Sequence, residues 1–159
     1  MMTEVTTLAD GLAFPETPRW RHARLYFSDM DDNRVMTVDL DGRTEVVAEV
    51  PTRPSGLGWL PDGTLLVVSM HERTVLKVGA GGELSVHADL SDVATFHCND
   101  MVVDAQGRAY VGNFGWDPRG DGPEREGAAG VDRGGTGRGR GRDGTNAAQK
   151  RLLRPILNR

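Results

Sequence analysis

The sequence predicts an all-β fold: a partial β-propeller of about two and a half blades, followed by a Gly/Arg-rich tail. Three observations predict it. A pattern of short apolar runs returns at a spacing of about forty residues. Glycine-containing pairs punctuate the runs. No stretch carries a sustained helical period with caps.

The first unit holds Leu25-Tyr26-Phe27-Ser28, Asn33-Arg34-Val35-Met36, a turn at Asp41-Gly42 and Glu45-Val46-Val47-Ala48. The second repeats it as Leu66-Val67-Val68-Ser69, Arg73-Thr74-Val75-Leu76, a turn at Gly81-Gly82 and Leu84-Ser85-Val86-His87-Ala88. A third begins with Met101-Val102-Val103 and Ala109-Tyr110-Val111-Gly112, and its pattern stops at Asp117. Asp41-Gly42, Asp62-Gly63 and Gln106-Gly107 read as hairpin turns, because glycine accepts the positive φ that such turns need. Val35-Met36-Thr37-Val38 and Val75-Leu76-Lys77-Val78 suit half-buried strands. An ordinary β-sandwich is the competing architecture; a register that matches in three places favours the propeller.

One position in each unit stands out. Glu16 lies four residues before Trp20, Ser55 four before Trp59, and Asn99 four before Val103. Each follows a short loop and opens the first strand of its unit. Innermost strands line a propeller's channel, so these three positions converge at one mouth. A carboxylate, a hydroxyl and an amide oxygen are ligands of the kind hard divalent cations take.

Phe14-Pro15-Glu16-Thr17-Pro18-Arg19-Trp20, Leu25-Tyr26-Phe27-Ser28-Asp29, Gly56-Leu57-Gly58-Trp59-Leu60-Pro61-Asp62-Gly63 and the run from Asn99-Asp100-Met101 to Val111-Gly112-Asn113 together resemble the gluconolactonase and senescence-marker protein (regucalcin) family. The resemblance covers about residues 8–117. It implies a propeller of about six blades, one divalent cation on its axis (Ca, Zn, Mg or Mn) and hydrolysis of sugar lactones or related cyclic esters. Glu16 matches the family's metal-binding glutamate. Asn99 matches an asparagine that contacts substrate or a metal-bound water. His97 stands where an arginine often holds the substrate. The remaining metal ligands and the general base come from later blades, and no residue here matches them.

The expectation is therefore a metal-dependent lactone hydrolase, as a truncated copy with an incomplete metal site. Two alternatives accompany it: a non-catalytic propeller fragment that self-associates through open blade edges, or nucleic-acid binding by the tail. The expected partner is a small-molecule lactone, with no membrane and no nucleic acid outside residues 118–159.

The neighbouring residues have plainer readings. Glu16 alone would cap a turn, and Asn99 would bond its local backbone. Asp100 ties its loop to a neighbouring strand. Ser55 reads as a bystander at the channel mouth, and Trp20 and Trp59 as core packing on matching strands. His97-Cys98 invites zinc, but no second ligand pair stands at metal spacing.

Charge divides the chain. From residue 118 onward five acids face nine arginines and Lys150, a net +5, so the body before it is −9 within an overall −4. An acidic body has no electrostatic footprint for nucleic acid. Cys98 is the only cysteine, which excludes an intramolecular disulfide and fits a reducing compartment. Met1–Thr7 lacks the basic and apolar regions of a secretory signal. No window reaches the roughly 18 apolar residues of a membrane span. The expected location is the cytoplasm.

Residues 1–117 are thus expected to form the propeller blades, and 118–159 a separate tail. Val131–Gly144 has almost no apolar content, and residues 118 to about 148 are expected to be disordered. Lys150–Leu157 reads as a basic amphipathic stretch with a helical turn, interrupted by Pro155. The tail is a Gly/Arg tract that binds single-stranded nucleic acid, a flexible linker, or the product of a slipped reading frame. The last is favoured because the pattern fails inside a blade.

Overall fold

The computed structural model describes residues 4–114, 117 and 151–152. Its strands are β1 (Pro15–Arg21), β2 (Arg24–Asp29), β3 (Arg34–Val38), β4 (Thr44–Glu49), β5 (Pro54–Trp59), β6 (Leu65–Ser69), β7 (Thr74–Val78), β8 (Leu84–Asp89), β9 (Cys98–Val103), β10 (Ala109–Asn113) and β11 (Arg151–Leu152). The described residues contain no helix.

Strands β1 to β4 form one antiparallel meander and β5 to β8 a second with the same order. The third sheet runs β11-β10-β9. This is the predicted repeat: two four-stranded blades and the start of another. The turns take the predicted form, with Gly42, Gly63, Gly82 and Gly107 at φ of 82°, 90°, 85° and 79°. At the first, Gly42 N donates to Asp39 O at 3.1 Å and closes the β3–β4 hairpin.

The middle sheet is buried on both faces, which explains the unbroken apolar run in β6. Leu65 and Val67 face the first sheet and join Val35, Ala48, Val50 and Leu57. Leu66 and Val68 face the third sheet and join Met101, Ala109 and Val111. Each fully buried Leu, Val or Met side chain among these contributes about 1.5–3 kcal/mol. These two layers hold the three sheets together.

Trp59 behaves as expected, meeting Tyr26 of the first sheet edge-on at 5.2 Å. Trp20 does not; it is 56% exposed. Trp59 is covered because β2 lies against it, whereas no sheet among the described residues packs on the matching face of the first sheet. Only Ala9, Leu12 and their neighbours lie there, against Phe27, Met36 and Val38.

Of the basic amphipathic stretch 150–157 only Arg151–Leu152 is described; these two residues form a short strand beside β10, with Gly112 opposite Leu152 and Asn113 opposite Arg151. Pairing satisfies backbone groups that the edge of β10 would otherwise leave open. The disorder expected for 118 to about 148, and the boundary at 117, lie outside the described residues.

Candidate functional site

Strands β1, β5 and β9 are the first of their sheets and pack side by side. Each carries a bulge in the same place. Between Glu16 and Arg19 the first strand advances three residues while its partner goes only from Ser28 to Tyr26. Pro54 to Leu57 is set against Ser69 to Val67, and Cys98 to Met101 against Asn113 to Val111. An extra residue bends a strand and re-aims its side chains. Glu16, Ser55 and Asn99 are the second residues of these strands and sit at the bulges.

The bulges bring the three together. Ser55 Oγ donates to Glu16 Oε1 at 2.5 Å and stands 3.1 Å from Asn99 Oδ1. Ser55 is fully buried, while Glu16 and Asn99 are half-buried. It is the hub of the group, not a bystander at the mouth. Ser28 Oγ holds it from behind, donating to the Ser55 carbonyl at 2.6 Å.

Two further features fix the geometry. Gly56 lies so close to β9 that a Cβ there would stand 2.4 Å from Met101 N. Arg19 ties all three inner strands. From β1 its Nε donates to Leu57 O at 3.2 Å, and its Nη2 donates to Met101 O at 2.9 Å and Asp100 Oδ1 at 2.7 Å. Asp100 thus has the structural role expected of it.

The loop before Glu16 is pinned by Asp29, whose Oδ1 accepts from Ala13 N at 2.9 Å and Phe14 N at 2.7 Å. Its Oδ2 accepts from Arg34 Nη2 at 2.8 Å. Burial by itself raises the pKa of Asp29. The backbone N–H of Phe14 and the Arg34 guanidinium outweigh it, so the carboxyl lies below its ordinary value.

Glu16, His97 and Asn99 line one cleft of about 420 Å³, with Phe14, Phe96 and Phe114 also on its walls. His97 stacks on Phe96 at 3.9 Å and approaches the His71 ring at 4.4 Å. Burial, and then the neighbouring His71, lower its pKa, which favours the neutral imidazole. The described residues contain no cluster of three or more His, Cys, Asp or Glu arranged for a metal. Glu16 and Asn99 are nonetheless hard oxygen donors of the kind a divalent cation takes. No described helix is long and apolar enough to cross a membrane.

Residues 14–136 match the family described as the SMP-30/Gluconolactonase/LRE-like region. The chain belongs to this family. Among solved structures, a gluconolactonase from Xanthomonas campestris is 23% identical with a TM-score of 0.60, over 69% of this chain and 38% of that one. A luciferin-regenerating enzyme is 15% identical with a TM-score of 0.52, over 64% of this chain and 38% of that one. Virginiamycin B lyase from Staphylococcus aureus is 14% identical with a TM-score of 0.52, over 62% and 36%. At these identities the likeness establishes the fold. No curated protein matches the sequence. The chain spans well under half the length of these neighbours. Within the gluconolactonase-type family frame, the sheets are propeller blades and the cleft lies where their first strands converge.

Sequence reasoning missed the roles of Arg19, Asp29 and Ser55. A signal for Asp29 existed: Asp29, Ser69 and Asn113 each end the second strand of their sheet, and all three are fully buried. For the bulges the signals were Pro18 and Gly56 inside strand patterns.

Proposed function

We propose that this chain contributes to a metal-dependent lactone hydrolase of the gluconolactonase type, with Glu16 as a ligand of one divalent cation and Asn99 and His97 as substrate contacts. The observation that carries this reading is the meeting of Glu16, Ser55 and Asn99, one from each inner strand, at a cleft that His97 also lines.

Glu16 supplies a charged oxygen, the donor type that calcium or magnesium takes. One protein ligand is far short of either ion's shell, so water, substrate or residues outside the described ones complete it. A bound cation supplies polarisation of the ester carbonyl and stabilises the developing negative charge. Phe14, Phe96 and Phe114 give the cleft apolar walls that shield the ring of a bound ester from water. His97, favoured in its neutral form, offers a hydrogen bond without a fixed charge, unlike an arginine.

The test is lactone opening followed by pH-stat with and without EDTA. Turnover that disappears on chelation and returns with added cation is the expected result. Turnover indifferent to EDTA removes the metal-dependent reading, and its absence in this chain removes the activity from it.

A further inference from the structure

The hydrogen-bond count at Ser55 carries an inference that rests on the lactonase reading only for its functional consequence. A serine hydroxyl has one proton to donate, and a carboxylate can only accept. At 2.5 Å from Oγ, Glu16 Oε1 takes that proton. Asn99 Oδ1 then stands 3.1 Å from the same Oγ, an acceptor facing an oxygen whose proton is already committed. Turning the amide by half a rotation places Nδ2 at that position with almost no change in shape, and the contact becomes a hydrogen bond.

We propose that Asn99 gives its Nδ2–H to Ser55 and its carbonyl oxygen to the cleft. Ser55 is then a positioning residue that passes one directed chain of hydrogen bonds, Asn99 to Ser55 to Glu16. The buried setting supports this. Ser55 is shut off from water, its carbonyl is held by Ser28, and the close approach at Gly56 fixes the distance between β5 and β9. Water therefore does not reach Ser55 Oγ to replace the donor. A fully satisfied buried network is also stiff.

The orientation has a chemical consequence. With its oxygen outward, Asn99 accepts a hydrogen bond from a substrate hydroxyl or a water, or ligates a hard cation. It does not donate to the ester carbonyl. Glu16 Oε2 and Asn99 Oδ1 then present two oxygens to the same cleft.

The experiment uses the full-length chain without metal. In ¹⁵N NMR spectra, one side-chain amide proton of Asn99 should exchange with solvent about tenfold more slowly than in Ser55→Ala, the size expected for one buried hydrogen bond. Backbone spectra establish that the variant is folded. Asn99→Asp provides a second reading, because it replaces the donor with an acceptor beside Ser55 and Glu16. Its thermal midpoint should fall at neutral pH and recover as acid protonates the new carboxyl. Equal amide exchange in the parent and Ser55→Ala overturns the proposal, as does an Asn99→Asp midpoint that is unchanged at neutral pH. Absence of lactone turnover after a divalent cation is added, with amide protection intact, counts against the hydrolase reading and leaves the orientation standing.

Discussion

Arg19 and Asp100, 81 residues apart in the chain, meet in an ion pair of 2.7 Å that spans the first and third sheets. Both side chains are partly exposed, so the pair itself contributes little. The bonds from the same guanidinium to the carbonyls of Leu57 and Met101 matter more, because they are charge-assisted and link strands that share no ladder. Arg19→Met should lower stability by about 1–3 kcal/mol, read by urea denaturation. Amide exchange should rise first in β9. Loss confined to β1 would show that the tie across the strands carries no load.

Gly56→Ala is expected to be among the most damaging single-methyl changes in the chain. The new Cβ would meet Met101 N at 2.4 Å and Met101 Cβ at 2.7 Å, atoms of a paired strand that cannot swing aside. Pushing β9 away should cost about 1–3 kcal/mol or more and part Asn99 from Ser55. Thermal melting reads the first effect and the Asn99 amide signal reads the second.

Asp29 gives the fold a pH dependence with a definite sign. Its folded pKa lies below the ordinary value of 3.8, so its stabilisation is fully present above that value. It is lost as pH falls through the lower, folded value. Asp29→Ala should cost about 2–3 kcal/mol at neutral pH, since the buried partner of Arg34 and two backbone donors is removed. Parent and variant should converge in urea midpoints toward strongly acid pH. A constant gap across that range would assign the effect to packing.

Cys98 is fully buried beside the site, and burial pushes its thiol up to about 11. The thiolate is the reactive form. The native protein should therefore leave a disulfide reagent such as DTNB unreacted at neutral pH, and one thiol should titrate after unfolding. Prompt reaction of the folded chain would mean that the β9 end opens readily.

Much of the fold was legible because it is written twice. The strand pairs around Tyr26 and Val67 share one pattern, and their glycine turns follow from backbone geometry alone. The convergence of Glu16 and Asn99 was legible from register. Ser55 was placed with them by the same register, but its part as the hub was not legible, because residue type alone does not say which of three converging oxygens is buried between the other two. What makes it a hub is the bulge, an extra residue that shifts orientation without changing composition. Arg19 was illegible for a related reason. Its partners, Leu57 O and Met101 O, are backbone atoms that no residue pattern marks. Trp20 was misread because its burial depends on a neighbouring sheet, not on its own strand.

The contrast between Trp20 and Trp59, two of the chain's three tryptophans, makes them optical reporters. Trp59 is held against Tyr26, with the Arg21 guanidinium 5.0 Å from its ring centre, so a soluble quencher should reach it slowly. Trp20 lies open on the outer face of the first sheet and should be quenched readily and emit further to the red. Anything that comes to rest on that face would shift the emission of Trp20 to the blue, so covering of the face can be followed without a label, as the difference in fluorescence from Trp20→Phe.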